Sequence, residues 1–121
     1  MNRIKMIALP AALLLALAIP AVAQDAVKAD AKHYKVEFEN AKVRVLRANY
    51  GPHEKSNMHS HPDAVAVYLT DGQIKFTFPD GKTADKSGKS GTVIWTPATT
   101  HLPENTGDKP FEVVVVELKG K

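Results

Sequence analysis

The sequence predicts an all-β domain, a sandwich or barrel of short strands, on three observations. Apolar and polar residues alternate with period two in six short segments, turn residues separate those segments, and no stretch after residue 23 carries a convincing helical repeat. Closing the sheet also solves the problem of the unpaired edges that so many short strands would otherwise expose.

The elements follow in chain order. Residues 1–23 open with Arg3 and Lys5, continue as an Ala/Leu-rich apolar run, and end in Ala21-Val22-Ala23. This is the pattern of a secretory signal peptide cleaved after Ala23. The uncharged stretch 6–23 just reaches the lower limit for spanning a bilayer, but Pro10, Pro20 and the small-residue cleavage box favour removal. The mature protein is therefore expected to be exported, periplasmic or secreted, with no membrane anchor. Lipidation at such a site needs a cysteine, and the chain has none.

Residues 24–32, "QDAVKADAK", offer too few apolar positions for a packed face and read as a flexible lead-in, with the folded domain running from 33 to 121. The strands expected within that domain are "YKVEF", "KVRVLRANY", "AVAVYL", "IKFTF", "TVIW" and "FEVVVVEL". Pro79-Asp80-Gly81 forms the clearest hairpin signal, joining residues 73–78 to a weak strand near 82–87. "DKSGKSG", 85–91, is expected to be a mobile loop.

Composition excludes several function classes. The formal charge of +3 falls to +1 once the leader takes away Arg3 and Lys5 and no acid. With no basic cluster interleaved with aromatics, neither nucleic acid nor an anionic membrane is an expected partner. The absence of cysteine rules out disulfides, thiolate catalysis and thiolate metal ligands. No nucleophile elbow, phosphate loop or catalytic carboxylate pair is present.

The chemistry is carried by histidine. Three of the five histidines fall within nine residues, His53, His59 and His61. In an extended strand His59 and His61 point to the same side, a two-ligand pincer. Continued past Pro62-Asp63, that parity reaches Val65, Val67 and Leu69, so the pincer is expected to face an apolar core. Buried imidazoles must have their acceptors satisfied, and a metal would satisfy them. His101, in the Pro-rich "WTPATTHLPENTG", is expected in a turn, where it would complete a three-nitrogen site with an open coordination position. Spacing alone leaves His59-Ser60-His61 equally readable as a surface or hydrogen-bonded pair. His53 and His33 read as loop residues, Asp63 as a turn residue, Glu104 as exposed, Met58 as packing, and Asn105 as a support for the turn that carries His101. Tyr68, Phe76, Phe78 and Trp95 read as core or pocket lining.

Gly51, His59, His61 and Gly72, followed by Gly91, Pro97, His101 and Asn105, resemble the two motifs of the cupin family, and the resemblance covers nearly the whole mature chain. It implies a small jelly-roll β-barrel, a double-stranded β-helix. It also implies one divalent metal ion (iron, manganese, nickel, copper or zinc) held by His59, His61 and His101, a small-molecule ligand or substrate, and a homodimer. Val65 stands where many cupins carry a metal-binding Glu, so the site would consist of three histidines with no carboxylate. The first motif is two residues longer than usual before His59, and Thr99 replaces a common glycine. Three-histidine cupins include oxygen-using enzymes. Two functions are therefore expected to compete: a metal-dependent oxidoreductase (dioxygenase-like) or isomerase acting on a small organic substrate, and a non-catalytic module that binds a small molecule or a metal.

Overall fold

Strand β1 (Tyr34–Glu39) pairs with β2 (Val43–Tyr50), β2 with β9 (Phe111–Leu118), β9 with β4 (Ala64–Tyr68) and β4 with β7 (Val93–Thr96), giving a five-stranded antiparallel sheet. A second antiparallel sheet has the order β3 (His59–His61), β8 (Thr99–Asn105), β5 (Gly72–Thr77), β6 (Thr83–Gly88). This computed structural model describes residues 24–120; the expected leader lies outside the described residues.

The core follows the period-two pattern. Leu46, Ala48 and Tyr50 of β2, Ala64, Ala66 and Tyr68 of β4, and Phe111, Val113 and Val115 of β9 turn one face of the large sheet inward, where Ile74 of β5 joins them. Each large apolar side chain buried in this way stabilises the fold by about 1.5–3 kcal/mol before its ordering cost is counted. The expected hairpin is present: Asp80 Oδ1 accepts from Lys82 N, and Gly81 takes a positive φ of 84° between β5 and β6. Gly72 is required for a close approach, because a Cβ there would lie 2.1 Å from the Phe111 ring.

Five expectations are corrected. The segment 24–32 is folded against the barrel: Asp25 caps the short helix α1 (Ala26–Ala29), Ala26 is fully buried, and Ser60 N donates to Gln24 O. Its packing comes from alanines small enough to sit under the barrel and from aspartates whose partners lie far away in sequence, neither of which shows as local amphipathicity. The loop expected over 85–91 is half strand, since Asp85–Gly88 belong to β6. His101 lies in strand β8, with Pro103 inside the same strand.

The fourth correction concerns parity. Ala64, Ala66 and Tyr68 face the core, whereas Val65 and Val67 are half-buried. Pro62-Asp63 carries the chain from the small sheet into the large one, so the alternation of β3 is not continued into β4. Asp63 is the turn residue expected, accepting from Ala98 N through its side chain and from Leu118 N through its carbonyl. Trp95 is also displaced from the core: it stands on the edge strand β7 and is 55% exposed.

Candidate metal centre

Antiparallel pairing of β3 with β8 sets His59 directly opposite His101, and His61 follows two residues later on the same strand face. The three rings therefore converge from two strands of one sheet. Their centroids are 4.8 Å apart for His59 and His61, 5.0 Å for His59 and His101, and 5.3 Å for His61 and His101. One nitrogen from each ring lies within 4.8 Å of the other two.

Groups behind the first two rings fix which nitrogen faces inward. His61 Nδ1 donates to Glu117 Oε2 at 2.7 Å, leaving its Nε2 as an acceptor. Glu117 is 3% exposed, and its other oxygen accepts from Arg44 Nε at 2.8 Å and Nη2 at 2.7 Å. Arg44 also pairs with Asp25. His59 Nδ1 faces the Asn57 carbonyl, which can only accept, at 2.8 Å, and Ser56 Oγ at 3.1 Å. That nitrogen therefore carries the proton. Ser56 in turn donates to the buried carboxylate of Asp30 at 2.6 Å. Such outer partners orient imidazoles and raise their basicity toward a cation.

His101 is held differently. Its Nε2 is buried with no hydrogen-bond partner, and its ring stacks on Phe76 at 4.8 Å. An unpaired buried nitrogen is costly unless something outside the protein satisfies it. Burial pushes the His101 imidazole down to about 3 and His59 down to about 4, with further lowering from the neighbouring histidines. Both are neutral at pH 7, the form that a metal requires. Three converging imidazoles, two of them with the outer ring nitrogen already occupied and the third with an unpartnered Nε2, fit a divalent ion with an open position.

Beside the rings is a cavity of about 80 Å³, lined by Tyr34, Tyr50, His61 and His101 together with apolar side chains such as Ile74 and Phe76. Tyr34 Oη lies 3.2 Å from His59 Nε2 and donates to it. Burial raises the phenol of Tyr34 well above its ordinary value and raises that of Tyr50 as well. Tyr50 is 2% exposed, and its hydroxyl lies close to those of Tyr34 and Ser56 without completing a well-aligned hydrogen bond to either.

The Cupin domain family model matches residues 46–117, more than half of the chain. The protein belongs to the cupin family. A cupin domain from Bordetella pertussis is similar at 26% identity and a TM-score of 0.67, covering 72% of this chain and 92% of the other. A cupin 2 conserved barrel domain protein from Salinispora arenicola shares the fold at 18% identity and a TM-score of 0.54, with 72% and 75% covered. So does an RmlC-like cupin family protein with a double-stranded β-helix fold from Methanocaldococcus jannaschii, at 19% identity, a TM-score of 0.54, and 74% and 83% covered. No curated protein matches the chain.

Within this cupin the other singled-out residues take plainer places. His53 is exposed at a positive φ of 61° and faces Asp108 at 2.8 Å, consistent with a loop residue. Val65 brings no donor to the site, and neither do the inward-facing Ala64 and Ala66. Glu104 is half-buried rather than exposed; it lies 3.9 Å from Lys55, and its place in β8 has the opposite parity to His101. Asn105 does not hold His101: its amide donates to the carbonyls of Tyr50, Gly51 and Lys109, tying strand ends together. His33 stands in the turn before β1, as a loop residue does, but it is buried, contacts Asp30 and Glu54, and stacks on Tyr50.

Sequence reasoning missed Tyr34, Tyr50, Asp30, Ser56, Arg44 and Glu117. A signal for the last two existed. Arg44 shares the parity of Leu46, Ala48 and Tyr50, and Glu117 that of Phe111, Val113 and Val115, so each continues an apolar face with a charge, and the two residues are register partners. Opposite charges at the ends of two inward-facing rows mark a buried pair.

Proposed function

We propose that this protein is an exported single-domain cupin that binds one divalent metal ion through Nε2 of His59, His61 and His101 and admits a small organic molecule to the cavity beside it. The supporting observation is the buried, unpartnered Nε2 of His101 within reach of the two oriented imidazoles of β3. When bound, the ion would supply Lewis acidity or, if redox-active, activation of oxygen. The protein's own contribution is orientation of the rings by Glu117, Asn57 and Ser56, and exclusion of water by the apolar wall.

Chemistry of the oxidoreductase kind is the catalytic version of this reading. It is favoured over acid–base chemistry because no carboxylate or amine lines the cavity. The small size of the cavity supports a second reading, a non-catalytic module. About 80 Å³ is well below the roughly 300–1,000 Å³ of a drug-sized pocket. Elemental analysis of the purified protein, followed by oxygen uptake across a panel of small carbonyl, thiol and phenolic compounds, separates the two. Bound iron or copper with consumption supports the enzyme; redox-inert zinc with no consumption counts against it.

A homodimer forms part of the same proposal. Of the two edge strands of the large sheet, β1 is guarded by Lys35, Glu37 and Glu39, whereas β7 exposes Val93, Ile94 and Trp95 with no charge. An uncharged edge that pairs antiparallel with its own copy closes a two-fold dimer. Sedimentation analysis should give a dimer for the wild type and a monomer for Ile94→Lys.

A further inference from the structure

Among the described residues, two buried side-chain atoms lack a hydrogen-bond partner, Tyr50 Oη and His101 Nε2, and both residues line the same small cavity. The coincidence points to an occupant. If His101 Nε2 is satisfied by the cation of the proposed function, on which this inference rests, Tyr50 still has a hydroxyl to donate. Tyr34, also lining the cavity, places a second hydroxyl 3.2 Å from His59 Nε2. That nitrogen cannot both ligate a cation and accept from Tyr34, so metal binding would release the Tyr34 proton for another acceptor.

Charge narrows what that acceptor is. Imidazole ligands bring no negative charge to offset the double charge of the ion, and no carboxylate lines the cavity. The nearest buried acids are already engaged, Glu117 with Arg44 and His61, and Asp30 with Ser56 and His33. An uncompensated charge in an apolar surround is costly, and an anionic ligand removes that cost. Size narrows it further, since about 80 Å³ suits only a few heavy atoms.

We propose that Tyr34 and Tyr50 form a hydroxyl wall that recognises a small oxyanion of the carboxylate class standing at the open position of the three-histidine site. The two phenols donate to its oxygens, and the stacked His33 and Phe76 rings on either side keep Tyr50 and His101 in place. The oxyanion supplies at once the negative charge and the acceptors that the chain's own side chains do not.

The test is a titration of the cobalt(II)-loaded protein with formate, read from the visible absorption of the ion, in wild type, Tyr34→Phe and Tyr50→Phe. Wild type is expected to bind formate. Each variant is expected to take up one cobalt per chain and to bind formate about tenfold more weakly or worse. Tyr50→Phe should leave the metal-free protein at least as stable in urea, because it deletes a buried hydroxyl that completes no well-aligned hydrogen bond. That split between stability and affinity is one that a merely structural tyrosine would not show. Equal formate affinity in all three proteins, or a loss of metal-free stability in Tyr50→Phe, overturns the hydroxyl wall while leaving the metal site standing. A wild type that takes up no cobalt overturns the metal site itself and this inference with it.

Discussion

Behind the two histidines of β3 stand hydrogen bonds that run back to carboxylates, whereas behind His101 on β8 stands the face of Phe76. The two strands are direct neighbours, yet they hold their imidazoles by different physics. Glu117 and the Asn57 carbonyl each fix a tautomer and a ring angle on β3, so that half of the site is organised before any ion arrives. Stacking on β8 fixes a plane but satisfies no nitrogen. The difference teaches where a cation would gain most: the β3 pair is costly to disturb because the fold depends on its partners, and His101 is costly to leave alone because nothing in the protein answers it.

Glu117→Gln should produce the largest effect on the β3 side. It leaves Arg44 with Asp25 alone and deprives His61 of a charged acceptor, so urea unfolding should show a loss of about 3 kcal/mol, and metal affinity should fall ten- to a hundredfold. Removing one member of a buried pair costs more than the pair contributes, because the charge that remains loses much of its compensation.

Acid should act next, and on both sides. His59 and His101 titrate near 6.5 when unfolded, but only at about 4 and about 3 when folded and metal-free. Below 6.5 the unfolded state binds protons that the native state refuses. The stability present above pH 6.5 is therefore lost progressively as pH falls toward 4 and then 3. Urea midpoints measured from pH 7 to pH 4 should decline, and His101→Phe should flatten the decline by removing one of the two groups. A midpoint that rises toward acid would contradict the buried neutral rings.

A smaller change is expected for Ser56→Ala. His59 Nδ1 keeps the Asn57 carbonyl, so its tautomer survives, while Asp30 loses one donor and keeps His33. The expected loss is about 1 kcal/mol with metal affinity down severalfold. Smallest in stability is His101→Phe, which preserves the stack on Phe76 and deletes the orphaned nitrogen. The metal-free protein at pH 7 should stay within about 0.5 kcal/mol of wild type, despite a change at the centre of the site.

How much of this was legible in the sequence depended on whether the relevant period stayed local. The alternation in "FEVVVVEL" and "KVRVLRANY" gave β9 and β2, and Pro79-Asp80-Gly81 gave the β5–β6 hairpin, since each signal lies within its own segment. The histidine trio was legible from His59 and His61 in one strand and from the family resemblance for His101. The strand that carries His101 was not, because "TTHLPEN" has Pro103 within it and takes its hydrogen bonds from β3 and β5, far away in sequence. Folding of the segment 24–32 was hidden for the same reason: Asp25, Asp30 and the buried Ala26 acquire their roles only when Arg44, Ser56 and the barrel wall arrive. The inward parity after Pro62-Asp63 failed because a bend between sheets resets alternation, which no count along the chain reveals.

The most direct measurement of the central claim is metal stoichiometry by equilibrium dialysis and elemental analysis at pH 7, on wild type and on His101→Phe of matched stability. Three converging nitrogens predict one ion per chain in the wild type and almost none in the variant, with unfolding curves that overlay when both are metal-free. Equal ion content in the two proteins would contradict the account.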